Sequence, residues 1–189
     1  MYFLGLDVST SCTGWCILDS EMSFVDAGFI DLKKQKNLYE KSTSILSFLN
    51  TLKERHLISS VYIEENLQAF RPGLSSAKTL MTLSRFNGMV SLMCYNTFEI
   101  MPTMINVNVA RKTLGLKIKR KKDGGLPTKE QVVIWAKGML EHTGFVWPTK
   151  VLKGGPNRGK EVLDPGCHDL ADAYVIAMAG LKINLEQDT

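Results

Sequence analysis

The sequence predicts an α/β fold built on a five-stranded mixed sheet flanked by helices. The first three strands form an antiparallel meander, and the fourth and fifth run parallel. Three observations predict it. The first 31 residues hold three strand-length apolar segments joined by short polar turns, which leave no room for a crossover and force antiparallel neighbours. Two further strand segments each follow a stretch with apolar residues at helical spacing, the pattern of crossover connections. The last helix is apolar enough to pack on a sheet.

In chain order, Tyr2-Phe3-Leu4-Gly5-Leu6 is a buried strand that ends at Asp7. Ser9-Thr10-Ser11-Cys12-Thr13-Gly14 is a polar turn, and Trp15-Cys16-Ile17-Leu18 is the second strand. Asp19-Ser20-Glu21 turns the chain into a third strand over 23–31. Residues 37–54 carry Leu38, Ile45, Leu46, Leu49 and Leu52 at helical spacing. Residues 59–63 return as a strand that ends at Glu64. A helix is expected over 75–94, with Leu80, Leu83, Met89 and Leu92 among its apolar positions. Phe98-Glu99-Ile100-Met101 is expected as the fifth strand, stopped by Pro102. Asn106–Leu114 reads as a short helix ended by Gly115, and 117–127 as a basic loop. Thr128 with Gln131 three residues on has the form of a capping box, which predicts a helix over 128–142. Residues 148–166 are a Pro- and Gly-rich loop with a small hairpin around Gly154–Gly159. The final helix is expected over 168–182. No internal repeat or linker is visible, so residues 1–189 read as a single domain.

Apolar and charged fractions of 44% and 22% are those of an ordinary folded soluble protein. No apolar run approaches the roughly 20 residues needed to span a bilayer, and no signal-type segment opens the chain, so an intracellular, cytoplasmic location is expected. Cys12, Cys16, Cys94 and Cys167 form no Cys-x-x-Cys pair, so the sequence suggests no zinc ligand set or small disulfide framework and points to reduced thiols. The net charge of +4 hides an asymmetry: residues 111–160 hold thirteen Lys or Arg against three Asp or Glu. The densest part is Lys119-Arg120-Lys121-Lys122, read as a polyanion-binding loop.

Asp7, Glu64, Asp169 and Asp172 stand where packing does not explain a carboxylate. Two end apolar strands, and two open the last apolar helix. Buried carboxylates repel one another and resist ionisation unless a cation neutralises them. A hard divalent ion such as Mg²⁺, taken through oxygen ligands, does so. Asp169 and Asp172 are three apart and share a helix face. Of Glu64 and Glu65, strand alternation sends one to the site and the other to solvent, and Glu64 is the better candidate. His168 is an auxiliary candidate for water activation or metal binding, against a structural role. Ser9, Thr10, Ser11 and Thr13 either line the site or cap the turn. Four such carboxylates suit a pair of metals about 3.5–4 Å apart and in-line phosphodiester hydrolysis without a protein nucleophile.

The run Leu4-Gly5-Leu6-Asp7-Val8-Ser9-Thr10-Ser11-Cys12-Thr13-Gly14-Trp15, then Val61-Tyr62-Ile63-Glu64-Glu65-Asn66, then Thr128-Lys129-Glu130-Gln131-Val132, then His168-Asp169-Leu170-Ala171-Asp172-Ala173 resembles the RuvC family of Holliday-junction resolvases, in the RNase H-like superfamily. The order and spacing match along nearly the whole chain. The resemblance implies that Asp7, Glu64, Asp169 and Asp172 are catalytic metal ligands for Mg²⁺, with Mn²⁺ able to substitute and two ions per site. It implies that Lys129 lies near the scissile phosphate and that Arg111 and Lys112 lie near another basic position. It further implies a homodimer joined by the helix at 75–94, acting on four-way junctions by paired nicks that leave 5′-phosphate and 3′-hydroxyl ends.

The chain departs from the family at Leu67, where an aromatic residue that acts on junction bases often stands. Phe70 is the nearest aromatic, for stacking or for the core. The longer basic loops suit forks and flaps as well as junctions, and the divergent sequence suits a phage-type member. Three alternatives carry different predictions. An RNase H-like nuclease would not need a dimer. An inactive DNA-binding module would not need four carboxylates. An actin-like nucleotide-binding domain, suggested by the turn from Gly5 to Gly14, would need a second phosphate loop and a longer chain.

Overall fold

A computed structural model describes residues 1–65 and 76–187. In chain order its elements are β1 (Tyr2–Val8), β2 (Cys12–Asp19), β3 (Phe24–Asp31), α1 (Leu38–Arg55), β4 (Ile58–Glu64), α2 (Ala77–Phe98), β5 (Thr103–Ile105), α3 (Val107–Thr113), α4 (Thr128–Leu140), β6 (Thr149–Val151), β7 (Glu161–Leu163) and α5 (Cys167–Gln187). The main sheet has the order β3-β2-β1-β4-β5. β1 pairs antiparallel with β2, and β2 with β3. β4 lies parallel to β1, and β5 parallel to β4. Direct turns serve the antiparallel pairs, whereas α1 and α2 lie in the crossovers that the parallel pairs require.

Strand alternation divides the sheet into two faces, each with its own core. On one face Leu4, Leu6, Val8, Ile17, Val61 and Ile63 pack with Ile45 and Leu49 of α1 and Phe86 and Val90 of α2. On the other, Cys16, Leu18 and Tyr62 pack under α5, which is covered from outside by Val132, Val133 and Ala136 of α4. α5 is apolar all round because it lies between these layers, and it is buried almost continuously from Leu170 to Leu181.

Glycines set how closely α5 lies on the sheet. A Cβ on Gly14 would stand 1.9 Å from the Asp169 carbonyl oxygen, and one on Gly5 would stand 2.6 Å from the Ala173 carbonyl oxygen. α5 therefore starts against β2, passes over β1, and reaches β4 where Gly180 meets the Tyr62 ring. These contacts anchor its first turn at the end of the sheet where β1 and β4 stop.

Several expectations change. Residues 98–101 are not a strand. α2 continues to Phe98, with Cys94 and Thr97 on its buried side, and stops at Glu99 in the left-handed conformation (φ 60°). β5 begins after Pro102, and only three residues pair with β4. The capping box at Thr128 does not form: Pro127 holds the cap position without a side-chain hydrogen bond. Gln131 turns to the basic loop instead. Its Oε1 accepts from the Lys119 amide (2.8 Å), and its Nε2 donates to the carbonyls of Lys119 (2.8 Å) and Leu126 (2.6 Å). The 148–166 loop contains the antiparallel hairpin β6-β7. Leu67 and Phe70 lie outside the described residues. All four cysteines are buried and free. Among the described residues no helix is long and apolar enough to cross a membrane.

Candidate active site

β1 and β4 pair in register as far as Leu6 and Ile63. Asp7 and Glu64 are the next residue of each strand. By alternation both share the face of Gly5 and Tyr62, the face on which α5 lies. Gly14 pairs with Asp7 across β1 and β2, and the first turn of α5 rests on Gly14. Asp169 is therefore set over the strand ends, with Asp172 one turn further along the same helix face.

The electrostatics report that proximity. Burial raises the Asp7 carboxyl well above the ordinary carboxylate range, and Glu64, Asp172 and Asp169 raise it further. Burial and then Asp172 lift Glu64 to about 7, against the pull of Arg111 and Lys129. Asp172 is also raised, burial outweighing Arg111 and Lys129. Burial depresses the Lys129 ammonium, but Asp169, Asp7 and Asp172 outweigh it and raise that group overall. All four carboxylates thus belong to one field, and the protein's own cations do not neutralise it.

Two cations face the cluster. Lys129 Nζ, in the first turn of α4, donates to Asp169 Oδ1 at 3.5 Å. Arg111 Nη2, in the last turn of α3, stands 3.6 Å from Asp172 Oδ1. That separation is too long for a hydrogen bond, and Asp172 Oδ1 and Arg111 Nε are both buried without a hydrogen-bond partner. Among the described residues no three or more His, Cys, Asp or Glu side chains stand close enough together to hold a metal ion as placed; Asp169 and Asp172 lean on Lys129 and Arg111 instead. The donor set still fits a hard divalent cation. It is all oxygen, it is under-neutralised, and it includes a buried carboxylate oxygen with no hydrogen bond.

The surrounding polar residues mostly hold the backbone. Ser9 Oγ donates to the Cys12 carbonyl (2.7 Å) and accepts from its amide (3.2 Å), and Thr13 Oγ1 donates to the Ser9 carbonyl (3.4 Å). Lys41 Nζ donates to the carbonyls of Thr10 and Leu32, fixing the turn after β1. Glu65 accepts from Asn106 Nδ2 (3.2 Å), at the cap of α3. His168 is half-buried in the first turn of α5, its amide donating to the Pro165 carbonyl (3.1 Å).

The basic residues divide into two groups. Arg111 belongs to the carboxylate cluster. Lys112, Lys119, Arg120, Lys121 and Lys122 are exposed on the outer surface, and Arg120 pairs with Asp123 (2.8 Å). Sequence reasoning missed Asn87. It is buried on α2, and its Nδ2 donates to the Glu64 carbonyl (3.0 Å), tying that helix to the end of β4. The one signal was a polar residue between Phe86 and Val90 on an otherwise apolar face.

No protein-family model matches the chain. Its sequence is 29% identical over 143 residues to the crossover junction endodeoxyribonuclease RuvC of Aliarcobacter butzleri (strain RM4018), covering 74% of this chain and 84% of that protein. It is 27% identical over 143 residues to the RuvC of Sulfurovum sp. (strain NBC37-1), covering 74% and 81%. In three dimensions it is similar to Thermus thermophilus RuvC in complex with a Holliday junction substrate, with TM-score 0.63, 16% identity, and coverage of 98% of this chain and 96% of that one. It is also similar to the yeast mitochondrial Holliday junction resolvase Ydc2, with TM-score 0.56, 12% identity, and coverage of 98% and 80%. The mixed sheet and these neighbours show that the chain has the fold of the RuvC structures, and its sequence is similar to bacterial RuvC proteins over about three quarters of its length.

Proposed function

We propose that this protein is a metal-dependent, structure-selective DNA endonuclease that resolves four-way junctions, with Asp7, Glu64, Asp169 and Asp172 as its catalytic ligands. The observation that carries the reading is the convergence of these four carboxylates in one under-neutralised field beside a strongly basic segment. Mg²⁺, two ions per site with Mn²⁺ able to substitute, would supply Lewis acidity for in-line attack of water and for the leaving 3′ oxygen.

The chain's own groups supply the rest. Asp7 and Glu64 are fixed by the sheet, and Asp169 and Asp172 by the buried helix, so the ligand set is held by rigid elements. Lys129 is exposed at the mouth and already drawn toward the cluster, which suits contact with the scissile phosphate. Lys112 and the 119–122 loop suit contacts to the flanking backbone. His168 and Glu65 remain auxiliary candidates. Products with 5′-phosphate and 3′-hydroxyl ends follow from cleavage of the 3′ oxygen–phosphorus bond.

Paired nicks need two copies. On α2, Met81, Leu92 and Tyr95 are exposed at 65%, 60% and 50%. With Gly88 they follow heptad-like spacing along one face, the surface for a second copy of this chain. Leu83 is half-buried beside that stripe. A two-fold dimer would present two sites to two symmetric strands. Residues 1–189 would form one nuclease domain working in the cytoplasm, the host's if the protein is phage-encoded. The exposed 119–122 loop and the β6-β7 hairpin favour a broader branched-DNA activity, on forks and flaps, as the second reading.

The testing experiment compares wild type with Asp7→Asn on a synthetic immobile junction in Mg²⁺. The reading predicts that the variant binds at least as tightly, having lost a negative charge near phosphate, and does not cleave. Joint loss of binding and cleavage would assign Asp7 to structure.

A further inference from the structure

The function proposed above requires the carboxylate cluster to take up metal, yet one of its members is already occupied. Arg111 and Asp172 face each other with side chains 21% and 9% exposed. A guanidinium buried beside a carboxylate ordinarily closes to a bidentate pair at about 2.7–2.9 Å. Here the contact stays open at 3.6 Å. The Arg111 Nε and the Asp172 Oδ1 each lack a hydrogen-bond partner. Arg111 offsets part of the Asp172 charge without closing to a bidentate pair.

The backbone around Arg111 is fixed. Its carbonyl accepts from the Leu116 amide (2.8 Å), and the neighbouring Ala110 amide donates to the Asn106 carbonyl (2.9 Å). Freedom is left in the side-chain torsions alone. With one fifth of the side chain exposed, the guanidinium has an outlet toward solvent. Arginine stays protonated at any working pH, so its role here is charge and not proton transfer.

We propose that Arg111 is a resident counter-cation of the active site: it partly offsets the charge of Asp172 in the metal-free protein, and a divalent metal displaces it from the Asp172 Oδ1. The open contact makes the exchange cheap, because no close bidentate pair is broken when the guanidinium leaves. The displaced guanidinium then stands beside the metal-bound cluster, within reach of a substrate phosphate. Arg111 thereby sets how tightly the empty site holds metal and links metal uptake to a DNA contact. Competition of this kind acts equally in both directions: what weakens metal binding is stabilisation of the metal-free state.

The test is calorimetric titration of the DNA-free protein with Mn²⁺, with thermal melting in EDTA and in saturating Mn²⁺, for wild type, Arg111→Met, Arg111→Lys and Asp7→Asn. The proposal predicts that Arg111→Met binds Mn²⁺ more tightly, by about tenfold, and melts lower than wild type in EDTA but not in Mn²⁺. Arg111→Lys should restore affinity close to wild type. If Arg111→Met binds Mn²⁺ equally or more weakly, or melts lower in both conditions, Arg111 is a structural or orienting group and the proposal is overturned. Wild-type binding that is lost in Asp7→Asn would leave the metal site standing in that case. Absence of Mn²⁺ binding by the wild type would overturn both the proposal and the metal-dependent reading.

Discussion

Gly14→Ala tests whether the first turn of α5 is positioned by its contact with β2. The added Cβ would lie 1.9 Å from the Asp169 carbonyl oxygen, 2.2 Å from its carbon and 2.7 Å from the Leu170 nitrogen. All three are backbone atoms, so no side-chain rotation relieves the overlap. Reaching even 3.0 Å needs a retreat of about 1.1 Å by the helix start. The helix cannot slide as a body, because Gly5 and Gly180 hold it closely on β1 and β4. Its first turn must lift, carrying Asp169 away from Asp7. Overpacking of this kind costs about 1–3 kcal/mol of stability. A displacement of about 1 Å within a catalytic constellation costs on the order of 10²-fold in rate. The assay is single-turnover junction cleavage with saturating protein, together with urea melts. Gly138→Ala serves as control: its Cβ would meet nothing within 4 Å, and it should gain about 1 kcal/mol of helix stability without altering the rate. A Gly14→Ala rate within threefold of wild type, at unchanged stability, would refute the positioning argument.

Three further outcomes are expected. With metal removed, Glu64 held up at about 7 makes the folded state bind its proton more tightly than the unfolded chain. Stability should then fall as pH rises from 4.5 through 7, by up to about 3 kcal/mol relative to Glu64→Gln. Urea melts in EDTA at pH 5 and pH 8 check this, and a wild-type-to-variant difference that does not change with pH would contradict it. Leu92→Asp should shift the protein from dimer to monomer in light scattering while leaving its melting temperature within a few degrees, since Leu92 is 60% exposed; an unchanged dimer mass would remove α2 from the interface. Replacing Lys119, Arg120, Lys121 and Lys122 together by Gln should weaken junction binding and reduce the slope of log K against log salt by up to about 3.6, whereas an unaltered slope would exclude that loop from phosphate contact.

The sheet was legible because strand alternation and turn chemistry are local. The same alternation that buries Leu4 and Leu6 on one face sends Gly5 and Asp7 to the other, so a carboxylate ending an apolar strand announced itself. What the sequence hid depends on tertiary partners. Phe98-Glu99-Ile100-Met101 resembles a strand by composition, yet Cys94 and Thr97 are buried on α2 and extend it to a non-glycine left-handed cap. Thr128 and Gln131 have capping-box spacing, but Gln131 finds three backbone partners across the basic loop. Arg111 looked like one more member of a basic surface, because charge counting does not distinguish a side chain aimed at Asp172 from one aimed at solvent. Asn87 showed only as a polar residue on a buried face, because its partner is a backbone carbonyl 23 residues away.

The most direct test of the central claim is strand-by-strand nick mapping on an immobile four-way junction in Mg²⁺, with a fork and a linear duplex alongside. The account predicts symmetric paired nicks on opposite strands of the junction, carrying 5′-phosphate ends, absent with Asp7→Asn and absent from the linear duplex. Unpaired nicks, cleavage of the linear duplex at an equal rate, or cleavage that survives Asp7→Asn would contradict it.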